Sequence, residues 1–237
     1  MDAFFYYFYK KLKLKYLIAS FFIFSTLFVF SQEEQKKVVD SLYREDQMYA
    51  TLSLNLVQNR PSGFRQHSLS SGISVGFLRD MPFNKKRTWA IAAGLGYSYN
   101  NLKNNIKVDN SMGDITYSID DTFDNNKLVL HHLELPLEIR WRNSTFESHK
   151  FWRIYTGLKV SYLFADKSVF TSESQKISVR SNNDLSKIKY ATYLAVGNNT
   201  GNIYVQYTLS PIFEEAILNE RNLELSSFNI GFVFYIL

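Results

Sequence analysis

Between His131 and Trp141 the chain reads His-His-Leu-Glu-Leu-Pro-Leu-Glu-Ile-Arg-Trp, so Glu134, Glu138 and Arg140 recur at even spacing among apolar neighbours. In an extended strand this puts both carboxylates and the guanidinium on one face. A second run supplies Arg153 and Lys159 at matching parity. Two chemistries are open to such a set. His132 as base, a loop serine as nucleophile and Glu134 as orienting group would make an acyl-transfer site. Alternatively, the opposite charges neutralise one another in a dry interior, where an isolated ion costs several kcal/mol. No elbow motif selects a serine, and parity sends His131 to the apolar face, away from His132. The reading adopted is non-enzymatic, with Glu134, Glu138, Arg140, Arg153 and Lys159 as a structural network. A further group, Asp109, Asp114, Asp120, Asp121 and Asp124, lacks the spacing of a calcium loop and reads as a solvated, mobile loop. No glycine motif for a phosphate or dinucleotide is present, so neither cofactor nor metal is expected.

Composition narrows the class. The 237 residues contain no cysteine, which excludes disulfides, thiolate metal sites and a cysteine nucleophile. Net charge is +5, from 27 basic and 22 acidic residues. Four lysines (Lys10, Lys11, Lys13, Lys15) and one acid (Asp2) fall within residues 1–31, leaving 23 basic against 21 acidic residues beyond them. The basicity belongs mostly to the front end, so nucleic acid is not an expected partner. Lysines, an apolar run from Tyr16 to Phe30 and a small residue at Ser31 read as a cleaved signal peptide over 1–31. The run falls short of the roughly 20 residues a spanning helix needs.

Residues 32–47 read as a periplasmic segment, either a short amphipathic helix or a linker. From Met48 to the end at Leu237 the hydrophobic period is two. Eight alternating runs, 48–56, 69–77, 89–99, 132–141, 152–164, 188–197, 203–210 and 228–236, argue for one all-β domain. The expected fold is an eight-stranded antiparallel up-and-down transmembrane β-barrel. Connections alternate between short (80–88, 143–150, 198–202) and long (101–127, 166–187, 211–226). Short turns on one rim and long loops on the other place both termini on the periplasmic side of the outer membrane.

Periodicity leaves a soluble lipocalin-like barrel in competition, and composition decides against it. The polar face of the third strand is Ala90, Ala92, Gly94, Gly96 and Ser98, a poor solvent surface but a good filling for a narrow lumen. Trp89, Trp141 and Trp152 all abut short turns, as an interfacial girdle in outer-membrane lipid would require. Pairing Trp141 with Trp152 sets Glu134 opposite Lys159; a two-residue slip sets Glu138 opposite Arg153. Either register joins a carboxylate to a cation and plugs the lumen, which disfavours the alternative of a small passive pore.

The runs Arg44–Tyr49, Gly76–Asn84, Gly94–Asn100 and Leu133-Glu134-Leu135-Pro136-Leu137-Glu138 resemble the PorT-like outer-membrane β-barrel family. That resemblance implies an integral outer-membrane barrel and, for function, an accessory of protein secretion of the type IX kind, or of envelope integrity, with secretion-system proteins as partners. The last strand resembles the signal read by the outer-membrane insertion machinery, in Gly231, Phe234 and Ile236. An outer-membrane lipid-modifying enzyme is the other alternative.

Overall fold

The computed structural model describes residues 45–111, 113–143, 152–198 and 200–236. The signal peptide and nearly all of the 32–47 segment lie outside the described residues, although β1 already begins at Glu45.

The elements are β1 (Glu45–Gln58), β2 (Ser71–Pro82), β3 (Trp89–Lys103), β4 (Ile106–Asp109), β5 (Thr116–Ile119), β6 (Asn125–Arg142), β7 (Trp152–Thr171), β8 (Lys176–Arg180), β9 (Ile188–Asn198), β10 (Gly201–Thr208), β11 (Ile217–Leu218), β12 (Arg221–Asn222) and β13 (Ser226–Ile236). Eight of them form a closed antiparallel ring in the order β6, β3, β2, β1, β13, β10, β9, β7, and β6 pairs back to β7. Closure leaves no barrel edge unpaired, which a bilayer demands because it offers the backbone no water. The five short elements all lie on the long-loop side: β4 with β5 and β11 with β12 are hairpins, and β8 extends the β7 edge.

Alternation along each strand sorts the residues into two environments. Leu52, Leu54, Ile73, Val75, Leu95, Leu133, Leu135, Leu137, Leu158, Ile203 and Phe232 are exposed on the outside. Such a continuous apolar band on a polar-cored barrel is the surface for hydrocarbon. The inward positions are buried and hydrophilic or aromatic. Small and large residues meet in register there: Ala90 lies beside Arg140, Ala92 beside Glu138 and Gly96 beside Glu134. Gly76 and Gly96 also leave the volume into which Tyr49 projects; a Cβ on either would overlap its ring or hydroxyl.

The long loops and the upper strand ends share an apolar core that strand alternation alone does not reveal. Val57, Phe64, Leu102, Ile106, Leu128, Leu130, Leu163, Leu185, Ile212, Phe213, Leu218, Leu223 and Leu225 pack into one apolar cluster. This cluster closes the long-loop mouth as a folded cap. Ile106, Leu185, Leu223 and Leu225 each stand singly between polar neighbours, and only the ring of strands brings them together.

Candidate functional site

The lumen of the short-turn half is filled by charge and tyrosine. Arg140, with no exposed side-chain surface, donates from Nε to Glu138 at 2.6 Å and from NH1 to Gln47 at 2.8 Å. Its guanidinium lies 4.6 Å from the centre of the Tyr155 ring and 5.3 Å from that of Tyr235. Asp80 takes Arg142 at 2.8 Å and stands 3.6 Å from Arg140. Tyr193 donates to the other oxygen of Glu138 at 2.7 Å. The network therefore has two carboxylates shared among cations and capped by hydroxyl and amide groups, the condition under which a buried ion pair holds.

One layer further along the axis, Lys159 meets Glu134 at 3.0 Å and donates to Tyr204 and Gln206, each at 3.1 Å. Tyr204 in turn hydrogen-bonds Gln206. Of the five charges singled out from sequence, the structure joins Glu134 to Lys159 and Glu138 to Arg140. Arg153 is not joined to Glu138; its guanidinium lies 6.0 Å from the Tyr235 ring.

The register between β6 and β7 is neither of the two expected. Trp141 pairs with Ile154, Glu134 with Ser161, Glu138 with Gly157 and Arg140 with Tyr155. Tryptophan matching misled because Trp141 finds its partner on the other side, directly opposite Trp89 on β3. Glu134 still reaches Lys159, diagonally. Asp80, Arg142 and Gln47 were missed. Carrying the alternation of β2 past Phe77 would have turned Asp80 inward, and one more pair on β6 would have added Arg142.

Above this layer the lumen changes character. His132, Lys189, Asn55, Asn100, Asn229, Gln206, Thr208, Ser98 and Ser161 surround a cavity of about 40 Å³, bordered by Glu134 on one side and by Leu102, Leu130 and Ile212 of the cap on the other. That is space for a few waters, not a conduit. Lys189 is 8 % exposed and, among the described residues, has no carboxylate within ion-pair distance. The histidines part as expected: His132 points inward, while His131 meets the Tyr97 hydroxyl at 2.7 Å on the outer face. Glu134 is held by Lys159 and shares the lining of this cavity with His132.

In the cap, Ser111 donates to Asp109 from its hydroxyl at 2.6 Å and its N–H at 2.9 Å, which holds the Asp109 carboxyl below its ordinary value. Thr122 does the same for Asp120 at 2.6 and 2.8 Å. Burial pushes the Tyr117 hydroxyl above its ordinary value; it donates to Asp184 at 2.8 Å and accepts from Asn182 at 2.8 Å. No group of three or more potential metal ligands occurs among the described residues.

Trp89 and Trp152 are exposed and Trp141 half-buried, all on the outside beside the short turns. Phe234 and Ile236 also face outward. Gly231 has a local reason for its identity, since a Cβ there would overlap the Leu52 carbonyl across the β1–β13 pair.

Residues 30–214 match the family model for the outer membrane protein beta-barrel domain. The chain belongs to that family. Its location is accordingly the outer membrane, as an integral barrel. Among solved structures, it resembles Ail, the attachment invasion locus protein of Yersinia pestis, at 12% identity with a TM-score of 0.34, over 81% of this chain and 97% of Ail. The complex of Ail with the heparin analogue sucrose octasulfate scores 0.36, also at 12% identity, over 82% of this chain and 100% of that one. A triple mutant of the Rh. blastica porin scores 0.22 at 9% identity, over 82% and 100%. No curated protein sequence matches the chain.

Proposed function

We propose that this outer-membrane barrel is a sealed, non-enzymatic scaffold whose work is done at its folded cap, as an accessory of protein secretion or of envelope integrity. In this reading both termini and the short turns lie on the periplasmic side, and the cap faces outward. The tryptophans form the periplasmic girdle, and Gly231, Phe234 and Ile236 carry the signal for the insertion machinery. The observation that carries the reading is the axial closure. Arg140, Glu138, Asp80, Arg142 and five tyrosines fill the lower lumen, and an apolar cluster closes the upper mouth. A path with a dry, charge-compensated plug and an oil-like lid does not pass solutes, which argues against a passive pore. The secretion role rests on the resemblance of the 133–138 and 76–84 segments to PorT-like barrels.

Two measurements test it. Purified, refolded protein in planar bilayers should give no steady channel; a stable conductance would overturn the sealed scaffold. Deletion of the gene should change the set of secreted or surface proteins, or sensitise the envelope to detergent, without changing lipid A structure. Altered lipid A would instead favour an enzyme.

A further inference from the structure

Above the aromatic layer Tyr97, Tyr99, His131, Tyr162 and Phe164, the two sides of the barrel wall differ. On β3 the outward positions continue to Lys103, and on β6 from His131 to Val129 and Lys127. On β7 they pass Ala165 and reach Lys167 and Val169, and β8 adds Lys176, Ser178 and Arg180. Register fixes these as neighbours: Lys103 is opposite Lys127, Val129 opposite Lys167, and Lys167 opposite Arg180. The reverse face of the same sheet, with Leu128, Leu130, Phe170 and Val179, is buried toward the cap. Five cations therefore share the face turned away from the protein. Carboxylates near it, Asp124 and Glu173, stand at the far tip of the sheet. Among the described residues, none of the five cations lies within ion-pair distance of an acid. At the same end of the opposite wall the outward residues are Leu54, Leu56, Leu69, Tyr207 and Leu209.

Like charges directly opposite one another weaken a sheet. Two such pairs on adjacent strands are a standing cost that a dianion lying between them removes. Val129 and Val169, though outward, are only 8% exposed, consistent with long basic side chains lying across them. Lys103, Lys127, Lys167 and Arg180 stand three to four residues beyond Tyr99, His131 and Phe164, roughly 10 to 13 Å along tilted strands at about 3.3 Å per residue, and Lys176, opposite Thr171, stands farther out. That is headgroup depth.

We propose that this basic face docks the phosphorylated headgroup of the outer-leaflet glycolipid, its lysines and arginine holding lipid-borne phosphate. The assignment rests on the reading that the long-loop rim faces the outer leaflet.

The test uses the full folded barrel in detergent, titrated with bisphosphorylated lipid A and with the same lipid dephosphorylated, the bound lipid being counted by native mass spectrometry. The phosphorylated form should bind roughly tenfold more tightly or better. The fourfold variant Lys103→Gln, Lys127→Gln, Lys167→Gln, Arg180→Gln should lose that preference while keeping its heat-modifiable mobility. A control, Lys85→Gln with Lys86→Gln at the short-turn rim, should keep it. If the fourfold variant does not fold, the pairs K103Q/K127Q and K167Q/R180Q are made separately, each losing part of the preference. Equal binding of the two lipids, an unchanged preference in the variants, or full displacement by millimolar inorganic phosphate would overturn the proposal. Orientation is read separately, by labelling a Ser111→Cys variant on intact cells with an impermeant maleimide. Failure to label overturns the outward cap yet leaves binding in detergent unaltered.

Discussion

The two halves of the lumen solve the problem of a narrow polar interior in different ways. In the short-turn half Asp80 and Glu138 are met by Arg140 and Arg142, and tyrosine rings fill the remaining volume. In the long-loop half Lys189 and His132 look into a small polar cavity beneath an apolar lid. The first half derives rigidity from matched charge; the second keeps loosely constrained polar groups and is closed by oil. The lesson is that two lysines in one barrel, Lys159 and Lys189, have opposite consequences. One completes an ion pair, and among the described residues the other has none.

The largest effects should fall on the matched half. Glu138→Ala leaves Arg140 with Asp80 at 3.6 Å as its carboxylate partner, and Lys159→Met strands Glu134. Each should cost about 3–5 kcal/mol and lower the temperature of heat modification on gels. Unchanged mobility in both variants would remove the network as a stabilising feature. Next comes the lid: Leu225→Ala should cost about 2–3 kcal/mol locally. Limited proteolysis should then cut the 209–225 segment while the barrel keeps its heat-modified shift. Loss of both together would mean that lid and barrel are one cooperative unit. Lys189→Met should reverse the sign, leaving stability unchanged or raising it by about 1 kcal/mol, because a buried cation with no carboxylate partner among the described residues is replaced by an apolar chain of similar length. A loss as large as that of Lys159→Met would reveal a partner for Lys189.

The smallest effect concerns acid. Asp109 and Asp120 are held below the ordinary 3.8 by hydrogen bonds from Ser111 and Thr122. Their contribution is complete above that value and disappears as pH falls through the lower folded value. Being half-buried at the surface of the cap, where solvent screens them, they should shift cap protection in hydrogen exchange slightly, and only below about pH 3.8. Ser111→Ala should abolish the Asp109 part.

The barrel was legible because a period of two, unbroken through eight runs, has one meaning once Ala90, Ala92, Gly94 and Gly96 are seen to be unfit for water. Strand parity also separated His131 from His132. The register of β6 on β7 was not legible, since Trp141 has two neighbours and alternation is indifferent to a shift of two residues. Asp80 was hidden by a strand end drawn too early, although the same parity turns it inward. The cap was hidden for a different reason: Phe64, Leu102, Leu185, Phe213 and Leu225 are far apart in sequence and show no local period. Only closure of the ring makes them neighbours.

The orientation of the two faces can be read most directly along β6, and the absence of cysteine from the chain makes the experiment clean. Single cysteines at residues 133 to 139, spin-labelled in folded protein in bilayers, should alternate. Labels at Leu133, Leu135, Leu137 and Ile139 should collide with oxygen dissolved in lipid, and those at Glu134, Pro136 and Glu138 should be shielded. Collision instead with a water-soluble nickel complex at the leucine positions would mean that the apolar face meets water, and would contradict the account.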